Sequence, residues 1–208
     1  RRRSLHHLRF TAFLFPSTRC ANGPHGDLGM DAAVSQPLFQ RLLGDDFHTL
    51  PLAVQALHLR SGLHRYCGQV EVRRDHNPLS RLLAWATRLP PVGRGVIEVD
   101  IDANENGESW VRKVGASVMP SRLWIQGDLL CEQLGLARFG FRLTVEEDAI
   151  VWRVARVHAL GVPLPARWFR LVQARESVDE GGRYCFDVSA SMPIAGLLVH
   201  YRGWLDVV

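Results

Sequence analysis

The chain has 208 residues, 47% of them hydrophobic and 22% charged, which suits one domain with a substantial core and excludes a disordered or fibrous protein. Its formal charge of +4 is concentrated at the start: residues 1–29 hold Arg1, Arg2, Arg3, Arg9 and Arg19 against Asp27, and the rest carries 20 basic and 20 acidic residues. That balance leaves no nucleic-acid footprint, and no apolar run approaches the ~20 residues of a membrane span, so neither a nucleic-acid partner nor a span is expected.

The first methionine is Met30, so residues 1–29 are expected to be a disordered leader or upstream translation, and residues 30–208 a single barrel-like domain. The apolar stretch Phe10 to Phe15 is shorter than a secretory signal needs. Cys20, Cys67, Cys131 and Cys185 stand singly with no C-x-x-C, and the expectation is reduced, buried thiols in a cytoplasmic protein.

Pro37 to Leu43 places Leu38, Phe39, Leu42 and Leu43 at helical spacing, with Gly44 ending the run. Thr49 is expected to cap a second helix that carries Leu50, Val54 and Leu57 on one face and ends near His58. Leu63 to Arg73 reads as a first strand, with Gly68 as a bulge. Asn77, Pro78 and the stripe Leu79, Leu82, Leu83, Ala86 and Leu89 predict a helix over about 78–89, stopped by Pro90 and Pro91, that covers an end or face of the sheet as a lid.

From about Gly95 onward the chain is written in period two. Ile97, Val99 and Ile101 alternate with Glu98, Asp100 and Asp102, and Asn106-Gly107 is a strong hairpin signal. Further strands follow over 108–114, 121–126, 129–134, 139–145, 150–156, 168–177, 183–190 and 197–205. Pro163 and Pro165 forbid central-strand pairing in the insert between the fifth and sixth of these. Nine or ten consecutive antiparallel strands would leave a hazardous open edge unless the sheet closes, so the fold class is mostly-β α+β, an up-and-down barrel or strongly curled sheet with N-terminal helices.

Motifs with local chemistry fail on inspection. Asp102-x-Asn104-x-Asn106-Gly107 begins like a calcium loop, but its twelfth position is Lys113 where a bidentate Glu is required. No phosphate loop, nucleophile elbow or zinc motif is present, so no catalytic residue, metal or cofactor is assigned. One pattern points to a site: charged and polar residues share strand faces with bulky apolar ones. Arg112 goes with Trp110, Arg156 and His158 with Trp152, and Tyr201 with Val199, while Glu132, Glu176 and Asp187 are available counter-charges. On a barrel interior these must pair with one another or meet a ligand. The candidate ligand-binding residues are therefore Trp110, Arg112, Glu132, Trp152, Arg156, Glu176 and Tyr201.

Leu38-Phe39-x-x-Leu42-Leu43-Gly44, Leu89-Pro90-Pro91, Trp110-x-Arg112, Ser121-x-Leu123, Gly161-Val162-Pro163-Leu164-Pro165, Phe186-Asp187-Val188 and Tyr201-Arg202-Gly203-Trp204-Leu205 together resemble a bacterial family known as domain of unknown function 4166. The similarity runs over nearly all of Met30 to Val208, with Val114 standing where an aromatic is common. The resemblance implies no catalytic residues. It does imply that relatives occur fused behind a saccharopine-dehydrogenase-like dinucleotide-binding domain.

Three functions follow as expectations. The first is non-catalytic binding of a small apolar or amphipathic ligand inside the barrel. The second is an accessory module docking on a dinucleotide-dependent oxidoreductase partner, which calls for an exposed apolar patch. The third is a small hydrolase or isomerase using His200 or His158 with Glu176 or Asp187.

Overall fold

The protein was analysed as a computed structural model that describes residues 36–75, 78, 81, 85, 89–192 and 196–207. Residues 1–29 and most of the helix expected over 78–89 therefore lie outside the described residues.

Two helices precede the sheet, α1 (Leu38–Leu43) and α2 (Leu52–Leu59), joined by a 3₁₀ segment, Gly44–Thr49. Gly44 ends α1 at φ 58°, a conformation that favours glycine. The expected Thr49 cap is not made: its hydroxyl donates back to the Asp46 carbonyl at 2.8 Å, and Pro51 occupies the capping position of α2.

The strands are β1 (Gly62–Arg73), β2 (Gly93–Asn104), β3 (Gly107–Val114), β4 (Ser117–Gln126), β5 (Leu129–Leu134), β6 (Ala137–Glu146), β7 (Ala149–Ala159), β8 (Val162–Leu164), β9 (Leu171–Val178), β10 (Tyr184–Met192) and β11 (Gly196–Asp206). They form one antiparallel sheet in the order β6-β5-β4-β3-β2-β1-β11-β10-β9-β7, and the β6–β7 pairing closes it into a ten-strand barrel. The eleventh strand, β8, pairs only with the far end of β7. It carries Pro163 because an edge strand needs no second ladder. Trp168, expected in a strand, belongs instead to a 3₁₀ segment, Ala166–Phe169, ahead of β9.

Alternation sends Tyr66, Val70, Val72, Ile97, Val99, Ile101, Trp110, Leu123, Leu130, Ile150, Trp152, Tyr184, Phe186, Val199 and Leu205 inward as the core. Two inward positions are glycines for a steric reason rather than as bulges. A Cβ on Gly68 would sit 1.8 Å from the Trp204 carbonyl oxygen, and one on Gly203 1.9 Å from that of Gln69, so β1 and β11 approach closely across their shared seam. Helices α1 and α2 sit at the end of the barrel where β1 begins, with Phe39, Val54, Leu57 and His58 buried against the core.

One irregularity changes a predicted face. The β6–β7 register shifts between Gly140 and Phe141, where Phe141 pairs with Val154 but Gly140 with Arg156, leaving Ala155 without a partner. Past that bulge the alternation of β7 inverts, so Val157 is buried and Arg156 is exposed on the outside, contrary to the inward placement expected of it. His158 follows Arg156 to the outer surface, pairing in register with Arg138.

The thiols also differ from expectation. Cys131 is buried and free, Cys185 is free but half-buried, and Cys67 is half-buried and disulfide-bonded.

Candidate functional site

A band of polar side chains crosses the barrel interior. Trp110, Arg112, Glu132, Trp152, Glu176 and Tyr201, from β3, β5, β7, β9 and β11, all line one cavity of about 80 Å³. Six of the seven predicted residues thus converge, and Arg156 does not. The cavity also holds Tyr184 and Phe186 from β10, with Ile97, Val99, Phe141, Val172, Val188 and Leu205 as apolar walls.

Arg112 anchors one side. Its Nη1 donates to Ser121 Oγ at 2.8 Å and to Glu132 Oε1 at 3.3 Å, and its guanidinium lies 4.7 Å from the Trp110 ring centroid. Burial by itself would depress the Arg112 pKa, but the Glu132 carboxylate beside it more than offsets this and the pKa is raised. The cation is permanent.

Glu176 anchors the other side. Its Oε2 lies 2.6 Å from His58 Nε2, a fully buried contact that joins α2 to β9 across 118 positions of sequence. The His58 ring is stacked on Phe39 at 3.6 Å between centroids and lies 6.2 Å from the Trp110 ring. Next to it the Trp110 Nε1–H donates to Glu108 Oε2 at 2.7 Å. Burial pushes the Glu108 carboxyl above its ordinary value, opposed by His58 and by the Trp110 hydrogen bond.

The tyrosines complete the ring. Burial lifts the Tyr184 phenol well above its usual range, reinforced by Glu176, and lifts Tyr201 to about 12, with Arg112 pulling the other way. Both hydroxyls keep their protons, and that of Tyr184 is hydrogen-bonded to Glu176. Trp152 Nε1 and His58 Nδ1 are buried with no hydrogen-bond partner among the described residues, an arrangement that costs free energy unless something else accepts or donates.

His58 belongs to a second lining as well, although its side chain is wholly buried. With Glu108, Arg41, Arg60, Arg122 and Trp124 it lines a second, open recess of about 970 Å³ beside α1 and the β2–β3 turn. His58 is thus a lining residue of the recess and Glu176 of the inner cavity.

His58, Glu108 and Tyr184 were not singled out by sequence. His58 lies four residues after Val54 on the buried face of α2, and Tyr184 two before Phe186 on the inward face of β10, so periodicity carries a faint signal for both. The His–carboxylate pair expected at His200 exists on the outer face: His200 Nε2 is 2.9 Å from Asp187 Oδ1, with the Asp187 side chain half exposed. Neither residue lines the inner cavity or the open recess.

A closed antiparallel barrel with an interior cavity of mixed apolar walls and polar anchors defines a barrel of the internal-cavity type. The chain belongs to the family described as Domain of unknown function (DUF4166), which it matches over residues 50–205, a span that includes α2 and the whole barrel. No curated protein matches it. Among solved structures it is similar to Rv2717c from M. tuberculosis, at 13% identity and a TM-score of 0.40, over 75% of this chain and 97% of that one. A likeness that distant does not inform the site.

Proposed function

We propose that the barrel is a non-catalytic binding domain for a small, neutral, mostly apolar molecule bearing a carbonyl or hydroxyl group. The observation that carries this reading is the inner cavity itself, whose lining sets Trp152, with its unpartnered Nε1–H, and Tyr201 among apolar walls. Neutrality follows from the charges already present. Arg112 and His58 are paired with Glu132 and Glu176, so an ionic ligand would bury an unmatched charge. Size follows from volume. At about 80 Å³ the cavity has room for about two or three waters. That is far below the ~300 Å³ of a drug-sized site.

The test is native mass spectrometry of protein purified from its own host, alongside Ala174→Leu, which fills the cavity from β9. A bound neutral molecule on the wild type that is absent from the variant supports the reading. An empty wild type with the variant equally stable or more so refutes it.

The His58–Glu176 pair supports a second reading as a small hydrolase or isomerase. A buried His58 whose Nδ1 has no hydrogen-bond partner among the described residues, and whose Nε2 meets a carboxylate, has the arrangement of an imidazole held in one tautomer. Glu176→Gln abolishing turnover of small esters while leaving the melting temperature within a few degrees would support it. No turnover by the wild type would end it. The accessory-module reading calls for an exposed apolar patch, and such a patch exists at the other end of the barrel.

A further inference from the structure

At the barrel end opposite α1 and α2, three adjacent connections meet: the β5–β6 turn, the β7–β8 turn, and the 3₁₀ segment Ala166–Phe169 that leads into β9. The Leu160 amide donates to the Leu136 carbonyl at 3.0 Å, tying the two turns together, and Ala159 pairs with Val162 as β8 folds back. Leu136, Leu160, Val162, Trp168 and Leu171 project from this corner with 49%, 76%, 59%, 43% and 61% of their surfaces exposed. Single exposed apolar residues are ordinary, whereas five gathered on connected turns mark an interaction surface.

The surrounding charge is of one sign. From Ala149 to Arg175 the chain contains no Asp or Glu. Arg156, Arg167 and Arg170 are exposed and Arg138 is half-buried. Among the described residues none of these four makes an ion pair, while Arg65, Arg153 and Arg183 elsewhere on the barrel each hold a carboxylate. The corner therefore joins guanidinium groups that hold no ion pair among the described residues to exposed aliphatic and indole side chains.

We propose that this corner docks the protein on an anionic lipid surface, with Leu160, Val162, Trp168 and Leu171 entering the headgroup layer and the four arginines meeting lipid phosphates. A fluid interface accepts apolar side chains one at a time from turn tips, and the negative potential of an anionic leaflet complements the unpaired cations. Single-stranded nucleic acid fits less well, because it is gripped by stacking platforms and four of the five apolar residues here are aliphatic. The inference is independent of the interior cavity and of its occupant.

The test is co-sedimentation of the full chain with vesicles of equimolar phosphatidylglycerol and phosphatidylcholine, against vesicles of phosphatidylcholine alone. Binding is expected to the anionic vesicles, to weaken about fivefold for each of Arg167→Gln and Arg170→Gln, and to be largely lost in Leu160→Ser/Trp168→Ser with the melting temperature unchanged. Leu52→Ser, on α2 at the opposite end, serves as the control and should bind like the wild type. No binding to anionic vesicles overturns the proposal, and so does an equal loss in Leu52→Ser. Equally tight binding to soluble polyglutamate overturns it in favour of an acidic protein partner.

Discussion

Replacing Arg112 with Met strands the Glu132 carboxylate inside the barrel. In the native fold that carboxylate is 8% exposed and its cation is Arg112, 3.3 Å away. Removing one partner of a buried ion pair costs about 3–5 kcal/mol, because the remaining charge keeps its desolvation penalty. At about 2–4 °C per kcal/mol for a domain of this size, Arg112→Met should melt ~6–20 °C below the wild type. Replacing both residues, as Arg112→Met/Glu132→Leu, removes the stranded charge together with its partner. Exchanges of that kind are commonly neutral or stabilising by about 1–4 kcal/mol. The double variant should therefore recover most or all of the loss. The assay is urea unfolding of the four proteins of the cycle at neutral pH, comparing midpoints at constant slope. A double variant whose destabilisation equals the sum of the two singles within ~0.5 kcal/mol refutes the reasoning, since it would mean that Glu132 was never compensated by Arg112. A recovered double variant that no longer carries the molecule found on the wild type would assign the pair to both packing and binding.

The remaining predictions concern the other buried and clustered groups. Burial first, and Glu176 in addition, raise the Glu108 carboxyl above its ordinary 4.5. Its ionisation therefore opposes folding, and its contribution to stability is complete below that value and lost as pH rises through the higher folded-state value. Glu108→Gln keeps an acceptor for Trp110, so it should match the wild type in acid and exceed it at neutral pH; a pH-independent difference would contradict this. Glu71, ringed by Arg73, Arg94 and Arg202, is held at about 2. The stability it contributes is present above 4.5 and lost as pH falls toward 2, and after allowance for solvent screening it is ~1 kcal/mol. Glu71→Gln should accordingly flatten the acid limb of the stability profile by that amount, and an unchanged limb would show that the arginines do not hold it. Gly203→Ala drives a methyl group into the Gln69 carbonyl and to 2.8 Å from the Phe186 ring, and should cost about 3 kcal/mol or more in chemical denaturation. A loss under ~1 kcal/mol would show that the seam can widen.

The barrel was legible because its determinants are local. Ile97, Val99 and Ile101 alternate with carboxylates over a hairpin signal, and each later strand repeats that device between turns. The polar interior was legible in part for the same reason, since Trp110 and Arg112 sit two apart and must share a face. Arg156 was misplaced because a bulge is set by the partner strand, and nothing in the sequence around Ala155 announces it. His58 was missed for a different reason. Its meaning depends on Glu176, which arrives from the far side of the barrel, and no period in α2 encodes that meeting. Gly68 illustrates the same limit, looking like a bulge while in fact serving a close approach of β1 to β11, a strand distant in sequence.

Strand β7 carries a consequence for how the barrel breathes. Against β6 it is held through ten paired positions, from Glu146–Ala149 to Ala137–Ala159. Against β9 it is held through only four, Ile150 to Arg153, after which β7 turns its edge to β8. The wall is thus a zip with one short run of teeth, and transient unzipping begins where the ladder is shortest. Val172, Gln173 and Ala174 on β9 line the cavity beside that run. An opening of that run would expose the interior sideways, through the flank of the barrel, without moving the helices at its end.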